Sequence, residues 1–294
     1  MNVFGQIVLV IFLMVFLIIS YLGSLLVFKR ITENKQNLIE FIKLDSVLKK
    51  IQLVIPQVLS KNIKLKKFLN ARLNTAQFSG LPLTLMVIAA FYIFAIASEL
   101  IEELLQADKL TIIDQAINSV LEPARGLPVI SIFAWITMFG AAQTAIAVCA
   151  VISAFLWVTN KTFNIFPLWI TVFGSIGTTW VGKYVVGRDR PEPIDGFFAL
   201  SPSFPSGHAT IATAVYGFLA YLIVRDTTNI RVRFEIVFWT FVVIGLISFS
   251  RIYLRFHYAS DVVTGFLVGG FWLLVGFIIV EYHRMKRSNH GFRK

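Results

Sequence analysis

Three short runs in this chain have the residue types and spacing needed to handle a phosphoryl group. The first is Lys183, six residues, then Arg190-Pro191. The second is Pro205-Ser206-Gly207-His208. The third is Ser250-Arg251, five residues, His257, three residues, Asp261. A phosphoryl group in transfer spreads negative charge over three oxygens, so its catalysis is mostly positioning and charge stabilisation. Lys183, Arg190 and Arg251 offer three cationic donors; arginine suits forked contact with phosphate, and lysine acts as a point charge. Ser206 and Gly207 stand where an apolar run begins. A helix starting there presents unpaired amides and a positive dipole end to an anion, and glycine lets the backbone come close. His257 and Asp261 are four apart, which on a helix start puts them on one face. Asp261 can then hold the proton of one ring nitrogen and leave the other free as a nucleophile.

The elements that must carry these residues are membrane helices. The chain has 294 residues, 57% hydrophobic and only 15% charged, with a mean hydropathy of +0.76. Soluble domains carry roughly 25% charged residues, so this composition excludes a water-soluble globule and, more firmly, a disordered chain. The single cysteine, Cys149, excludes an internal disulfide framework and a multi-cysteine metal site. A bilayer core needs about 20 apolar residues per helix, and seven stretches qualify: 3–28, 81–98, 129–157, 165–182, 207–224, 236–250 and 262–280. The first lacks a basic leader and is followed at once by Lys29 and Arg30, so it reads as an uncleaved anchor. The third is long enough to be tilted or to end before Trp157. The sixth is short and borrows from 251–256.

Lysine and arginine placement orients the spans. Segment 29–80 is densely basic, and the connections around Lys161, around Arg225, Arg231 and Arg233, and the tail from Arg284 to Lys294 all fall on its side. That side is expected to be the cytoplasm, with the amino terminus out and the carboxyl terminus in. The acidic stretch 99–127 is expected as a loop on the outer side. Two outer connections break the rule, one with Lys183, Arg188 and Arg190 and one with Arg251 and Arg255. An anionic ligand is the natural reason. The net charge of +11 otherwise suits a cytoplasmic face on anionic lipid headgroups. Nucleic acid is not an expected partner, because no basic domain with interleaved aromatics lies outside the spans. Within 38–59, Leu44, Val47, Leu48, Ile51, Ile55, Val58 and Leu59 form an apolar stripe among lysines. It suggests an interfacial amphipathic helix, or a connector packed on the bundle.

Taken together, the three runs resemble the motifs of the type 2 phosphatidic acid phosphatase superfamily, the lipid phosphate phosphatases that share a core with acid phosphatases and haloperoxidases. All three are complete here, and the resemblance covers roughly 81–280. The resemblance implies an all-α polytopic membrane helix bundle for that core; it says nothing about 1–80, where the apolar run and the charge pattern alone lead to residues 1–28 as an N-terminal transmembrane anchor. Residues 29–80 would be a basic amphipathic cytoplasmic segment, 81–281 the phosphatase core with six transmembrane helices, and 282–294 a basic tail. It implies that His257 attacks phosphorus and forms a phosphohistidine, while His208 protonates the leaving alkoxide and then activates water. Lys183, Arg190, Ser206, Gly207 and Arg251 would bind the phosphate, with no metal and no cofactor. The implied substrate is a lipid phosphate: phosphatidic acid, phosphatidylglycerol phosphate, undecaprenyl pyrophosphate or a lipid A-type phosphate. The active site would face the outside of a bacterial inner membrane.

Blander readings apply elsewhere. Arg188 and Arg255 lie outside the motifs and are expected to face water or attract anionic lipid. Asp189, Glu192 and Asp195 read as loop charges paired with nearby arginines, and His283 and His290 as solvated tail residues. Trp169, Trp180, Trp239 and Trp272 read as interface anchors or packing, and Gly265, Gly269 and Gly270 as sites of close helix contact. Two other functions use the same residues: a lipid phosphotransferase, in which another hydroxyl captures the phosphohistidine, and a catalytically silent scaffold or transporter.

Overall fold

The structure, a computed structural model, describes residues 3–33, 72–73, 78–106, 108–194, 196 and 199–291. The stripe expected over 38–59 lies outside the described residues, as do Asp195 and the side chain of His290. The regular elements are helices: α1 (Val3–Glu33), α2 (Leu81–Gln106), α3 (Asp108–Leu121), α4 (Leu127–Met138), α5 (Ala142–Val158), α6 (Ile165–Val186), α7 (Gly207–Asp226), α8 (Ile230–Tyr253) and α9 (Ala259–Gly291). Single 3-10 turns precede α4 at Glu122–Ala124 and α6 at Thr162–Asn164. Among the described residues six helices are long and apolar enough to cross a membrane, or seven spans if α4 and α5 count as one bent pair. The protein is an integral, multi-pass membrane protein. Its large apolar side chains stay exposed along α1 and α2, as in Phe4, Ile19, Phe91 and Tyr92; in lipid such faces need no cover.

The chain divides into two units, and the motifs all lie in the one formed by Met1–Phe12 and Ala90–Val280. In the other, Thr84 Oγ1 donates to the carbonyls of Gly80 and Arg72, tying the start of α2 to the turn before it.

In the motif-bearing unit α7 is central. It packs on α5, α6 and α8. Its buried Ile211, Val215, Phe218 and Leu222 form a core with Cys149 and Leu156 of α5, Leu168 and Val172 of α6 and Val280 of α9. Its other side meets Ile244 and Ile247 of α8 through Ala212. Helix α9 approaches α7 through glycine: a Cβ on Gly265 would lie 2.8 Å from the Ser206 carbonyl oxygen, and Gly269 abuts the Thr210 carbonyl as closely. Without a hydrophobic drive between helices in lipid, small residues that let backbones touch hold such pairs. A Cβ on Gly270 would meet Ile93 at 3.9 Å, an ordinary contact, so this glycine is not needed for a close approach among the described residues. Trp272 lies across Gly174 and donates to Thr178 Oγ1, while Trp169 donates to Ser153 Oγ, so both are packing residues.

Several boundaries differ from the sequence expectation. The stretch 129–157 is not one continuous helix: the chain breaks at Phe139–Ala141 and turns by 46°, so the expected third span is at most a broken one. The break places Gly140 against Ile247 and His208, where a side chain would clash. The stretch 99–127 is not an acidic loop but continues α2 to Gln106 and then forms α3. Helix α3 leaves Ile112, Ile113 and Val120 exposed and buries Asp114, the reverse of a helix packed in water and the pattern of one lying at a membrane interface. Helix α8 starts earlier than expected because Asn229 caps it, its Oδ1 accepting from the amides of Arg231 and Val232.

Candidate active site

Four helix ends and two loops meet at one end of the motif-bearing unit: the last turns of α6 and α8, the first turns of α7 and α9, and the connections 187–206 and 254–258. Helix α6 stops at Gly187, whose φ of +65° is the left-handed conformation that glycine adopts without strain. That stop leaves Lys183 in the last turn, buried, its Nζ donating to the Pro202 carbonyl. Arg190 crosses the following loop. Its Nε donates to the Ser201 carbonyl (2.7 Å) and its Nη1 to the Phe256 carbonyl (2.5 Å), fixing the guanidinium between two loops.

Ser206 is the N-cap residue of α7, but its hydroxyl caps nothing. Its amide donates to the Asp261 carbonyl at 3.0 Å, which stitches the start of α7 to the start of α9. Gly207 opens the helix, with Thr179 of α6 against its Cα. His208 follows, half-buried, beside Gly140. Arg251 in the last turn of α8 is buried. Its Nη1 donates to Thr137 Oγ1 of α4 at 2.9 Å, and its guanidinium lies 4.0 Å over the Phe256 ring. Its carbonyl accepts the amides of both Phe256 and His257, bending the chain so that the imidazole turns inward.

His257 is 2% exposed and Asp261 0%. His257 Nδ1 lies 3.4 Å from Asp261 Oδ2, a charge contact rather than a formed hydrogen bond. Loose geometry of this kind is common where a catalytic pair tightens only around its substrate. Three motif residues thus carry a buried polar atom with no hydrogen-bond partner: Ser206 Oγ, Arg251 Nε and His257 Nδ1. Each such group ordinarily costs about 1–3 kcal/mol; Gln6 Nε2, Asn164 Nδ2 and Ser248 Oγ are unpartnered elsewhere, but only here, among the described residues, do three lie among converging cations.

The electrostatics agree with the geometry. Burial pushes the His257 imidazole well below its ordinary pKa, and the charges of Arg251, Arg190 and Lys183 push it further the same way. A neutral ring is the form that can act as a nucleophile. The same three cations, together with His257, are the charges that act on His208. The structure therefore brings the sequence-derived residues Lys183, Arg190, Ser206, Gly207, His208, Arg251, His257 and Asp261 to one place. Chemically, the arrangement can hold a dianion, attack it with a ring nitrogen and move a proton at a second ring.

Two expectations for this region need correction. Arg188 does not face water or lipid. Its side chain is 14% exposed and forks between two buried carboxylates, with Nη1 2.6 Å from Asp261 Oδ1 and Nη2 2.8 Å from Asp114 Oδ2. Burial opposes its charge, but Asp261 and Asp114 outweigh that and hold its pKa above the ordinary value. Arg255, at a positive φ of +56°, pairs with Glu122 rather than standing free. Thr137 and Gly140 escaped the sequence reading, and Asp114 counts there only among the charges of the acidic stretch 99–127. Gly140 alone left a signal, a glycine inside an unbroken apolar run.

Residues 164–285 match the PAP2 superfamily. A relative, phosphatidylglycerophosphatase B of Bacillus subtilis, is 31% identical over 168 residues, which span 56% of this chain and 82% of that protein. The chain belongs to the PAP2 superfamily. A second relative in sequence, lipid A 1-phosphatase of Rhizobium etli, is 32% identical over 108 residues, a third of this chain and 42% of that protein. Among solved structures, the transmembrane PAP2-type phosphatidylglycerolphosphate phosphatase from Bacillus subtilis superposes with a TM-score of 0.60 at 24% identity. The match covers 66% of this chain and 96% of that one, so the superfamily's fold is shared.

Proposed function

We propose that this membrane phosphatase of the PAP2 superfamily hydrolyses a lipid phosphate monoester or pyrophosphate through a phosphohistidine on His257, without a metal ion. The observation that carries the reading is the set of unpartnered buried atoms, Ser206 Oγ, Arg251 Nε and His257 Nδ1, among three cationic side chains. Phosphate oxygens are the ligand that the Ser206 hydroxyl and the Arg251 guanidinium suit as donors, while the open His257 Nδ1 faces Asp261. With Nδ1 facing Asp261, Nε2 of His257 attacks phosphorus and the ester P–O bond breaks. His208 gives its proton to the departing alkoxide. Water then attacks the phosphorus of the phosphohistidine and His208 takes the water's proton, so that inorganic phosphate leaves and both rings return to their starting forms. Lys183, Arg190 and Arg251 hold the equatorial oxygens, helped by Ser206 and the Gly207 amide at the head of α7.

The names of the relatives put phosphatidylglycerol phosphate and a lipid A phosphate first among candidate substrates, followed by phosphatidic acid and undecaprenyl pyrophosphate. The site is read as facing the outer side of a bacterial inner membrane, a reading supported by the basic segment 29–80 and the basic tail under the positive-inside rule. The test is phosphate release from these lipids by the purified protein in detergent, with chelator and no added acceptor alcohol. Release that survives chelator and vanishes in His257→Ala supports the reading. Release that needs an added hydroxyl acceptor would make the enzyme a phosphotransferase. Release that persists in His257→Ala would overturn the nucleophile.

A further inference from the structure

We propose that Arg188 and Asp114 are positioning residues for the His257–Asp261 pair: Asp114, on α3, anchors one arm of Arg188 so that its other arm fixes which oxygen of Asp261 faces the imidazole. This rests on His257 being the nucleophile. The Asp261 carboxylate has two oxygens in different surroundings. Oδ1 accepts from Arg188 Nη1 at 2.6 Å, and Oδ2 accepts the Tyr258 amide at 3.0 Å while facing His257 Nδ1. The rotation of the carboxylate is thus set from both sides. Arg188 is held just as closely. Nη2 donates to Asp114 Oδ2 at 2.8 Å, Nη1 also donates to Ser260 Oγ at 2.8 Å, and the guanidinium lies 4.1 Å over the Tyr258 ring. Asp114 in turn accepts the Ser260 amide on Oδ1 (3.0 Å) and the Ser260 hydroxyl on Oδ2 (2.5 Å). Asp114, Arg188 and Ser260 form a closed ring of contacts against the first turn of α9.

Two properties make this more than a structural ion pair. A planar fork can satisfy two carboxylates at fixed angles, which an ammonium group cannot. The charge is also shared. Asp114 takes part of the Arg188 charge, leaving Asp261 anionic enough to favour a proton on the imidazole nitrogen that faces it. The charged and titratable groups acting on His257 are Arg251 of α8, Lys183 of α6 and Arg190 of the 187–206 loop, all cationic, and His208 of α7, with a hydrogen bond to the Ser203 backbone working against the cations. Asp261 is the carboxylate set against them, and Asp114 sits behind Arg188.

The test uses the full-length protein and its preferred lipid phosphate, with His257→Ala as the reference. Arg188→Lys keeps the charge and loses the fork. It is expected to lower kcat by about tenfold to a hundredfold, the scale of a misplaced reacting group, with KM little changed. Asp114→Asn removes a negative charge and turns Arg188 wholly toward Asp261, so the acid limb of kcat/KM should move to lower pH. Wild-type kcat in Arg188→Lys, or an unmoved acid limb in Asp114→Asn, would overturn the inference while an inactive His257→Ala left the phosphatase reading standing. An active His257→Ala would remove both. If Arg188→Lys does not fold, Asp114→Asn decides, because it keeps the Arg188–Asp261 pair and both protein contacts of that arginine's first arm.

Discussion

The two ends of the motif-bearing unit hold similar residues and use them differently. At the end opposite the motifs, Lys161 pairs with Asp226 at 2.5 Å, and Arg225 reaches Asp226 and Asn164. These charges serve one another, and the Lys161–Asp226 pair is more than 40% exposed on both sides. At the motif end, Arg251, His257 and Asp261 are buried, and Arg251 and His257 each keep a polar atom with no protein partner. Basic residues alone therefore do not mark a site in a membrane protein, since the positive-inside rule scatters them over one whole face. What sets the motif end apart is that buried cations and a buried imidazole converge there with that unmet capacity, since Asn164 Nδ2 at the opposite end is also buried without a partner but stands beside charges that already pair with one another.

That contrast can be broken from either end. The largest effect belongs to His257→Ala, which should abolish phosphate release with little change in thermal stability, and to His208→Ala, with a loss of about 10²–10⁴-fold, the range for a general acid–base group. Arg251→Ala comes next. Removing a preorganised donor to developing charge costs about 10²–10³ in kcat, and here the Thr137 hydroxyl also loses its partner. A drop of less than about threefold in steady-state assays would deny that Arg251 touches the phosphate.

The pH profile is subtler. The folded protein favours neutral His257, because burial and then Arg251, Arg190 and Lys183 depress its pKa. The unfolded chain takes up a proton near pH 6.5 that the folded chain refuses. Stability from this group is thus complete above about pH 6.5 and declines as the pH falls from there toward the folded value. The acid limb of kcat/KM, corrected for ionisation of the substrate phosphate, should lie below pH 6.5; a limb at or above it contradicts a buried neutral nucleophile. The smallest effect belongs to the opposite end. Lys161→Ala should leave kcat unchanged and cost about 0–1 kcal/mol of stability, as exposed pairs do, measured by thermal unfolding in detergent.

How much of this was legible in the sequence depends on distance along the chain. The spans announced themselves through apolar runs, and the motif residues through tight local spacing, as with His257, just before α9, and Asp261 in its first turn, four residues apart. Three features gave no such sign. Helix α3 buries Asp114 and exposes Ile112, Ile113 and Val120, so a pattern judged against water reads as an acidic loop. The break at Phe139–Ala141 lies inside an apolar run, where Gly140 is the single mark and says nothing about the direction of the turn. Arg188 sits between Gly187 and Asp189 and looks like one more loop charge, because its partners Asp114 and Asp261 are 74 and 73 residues away. Only the folded chain brings them together.

The central claim is that the phosphoryl group passes through a covalent bond to His257. Mixing the protein with a lipid phosphate labelled in its phosphoryl group, quenching in alkaline denaturant to preserve a phosphorus–nitrogen bond, and locating the label by peptide mass spectrometry tests it directly. The expected result is an acid-labile phosphate on the peptide carrying His257, absent from His257→Ala. A label on any other residue, or rapid turnover in His257→Ala, would contradict it.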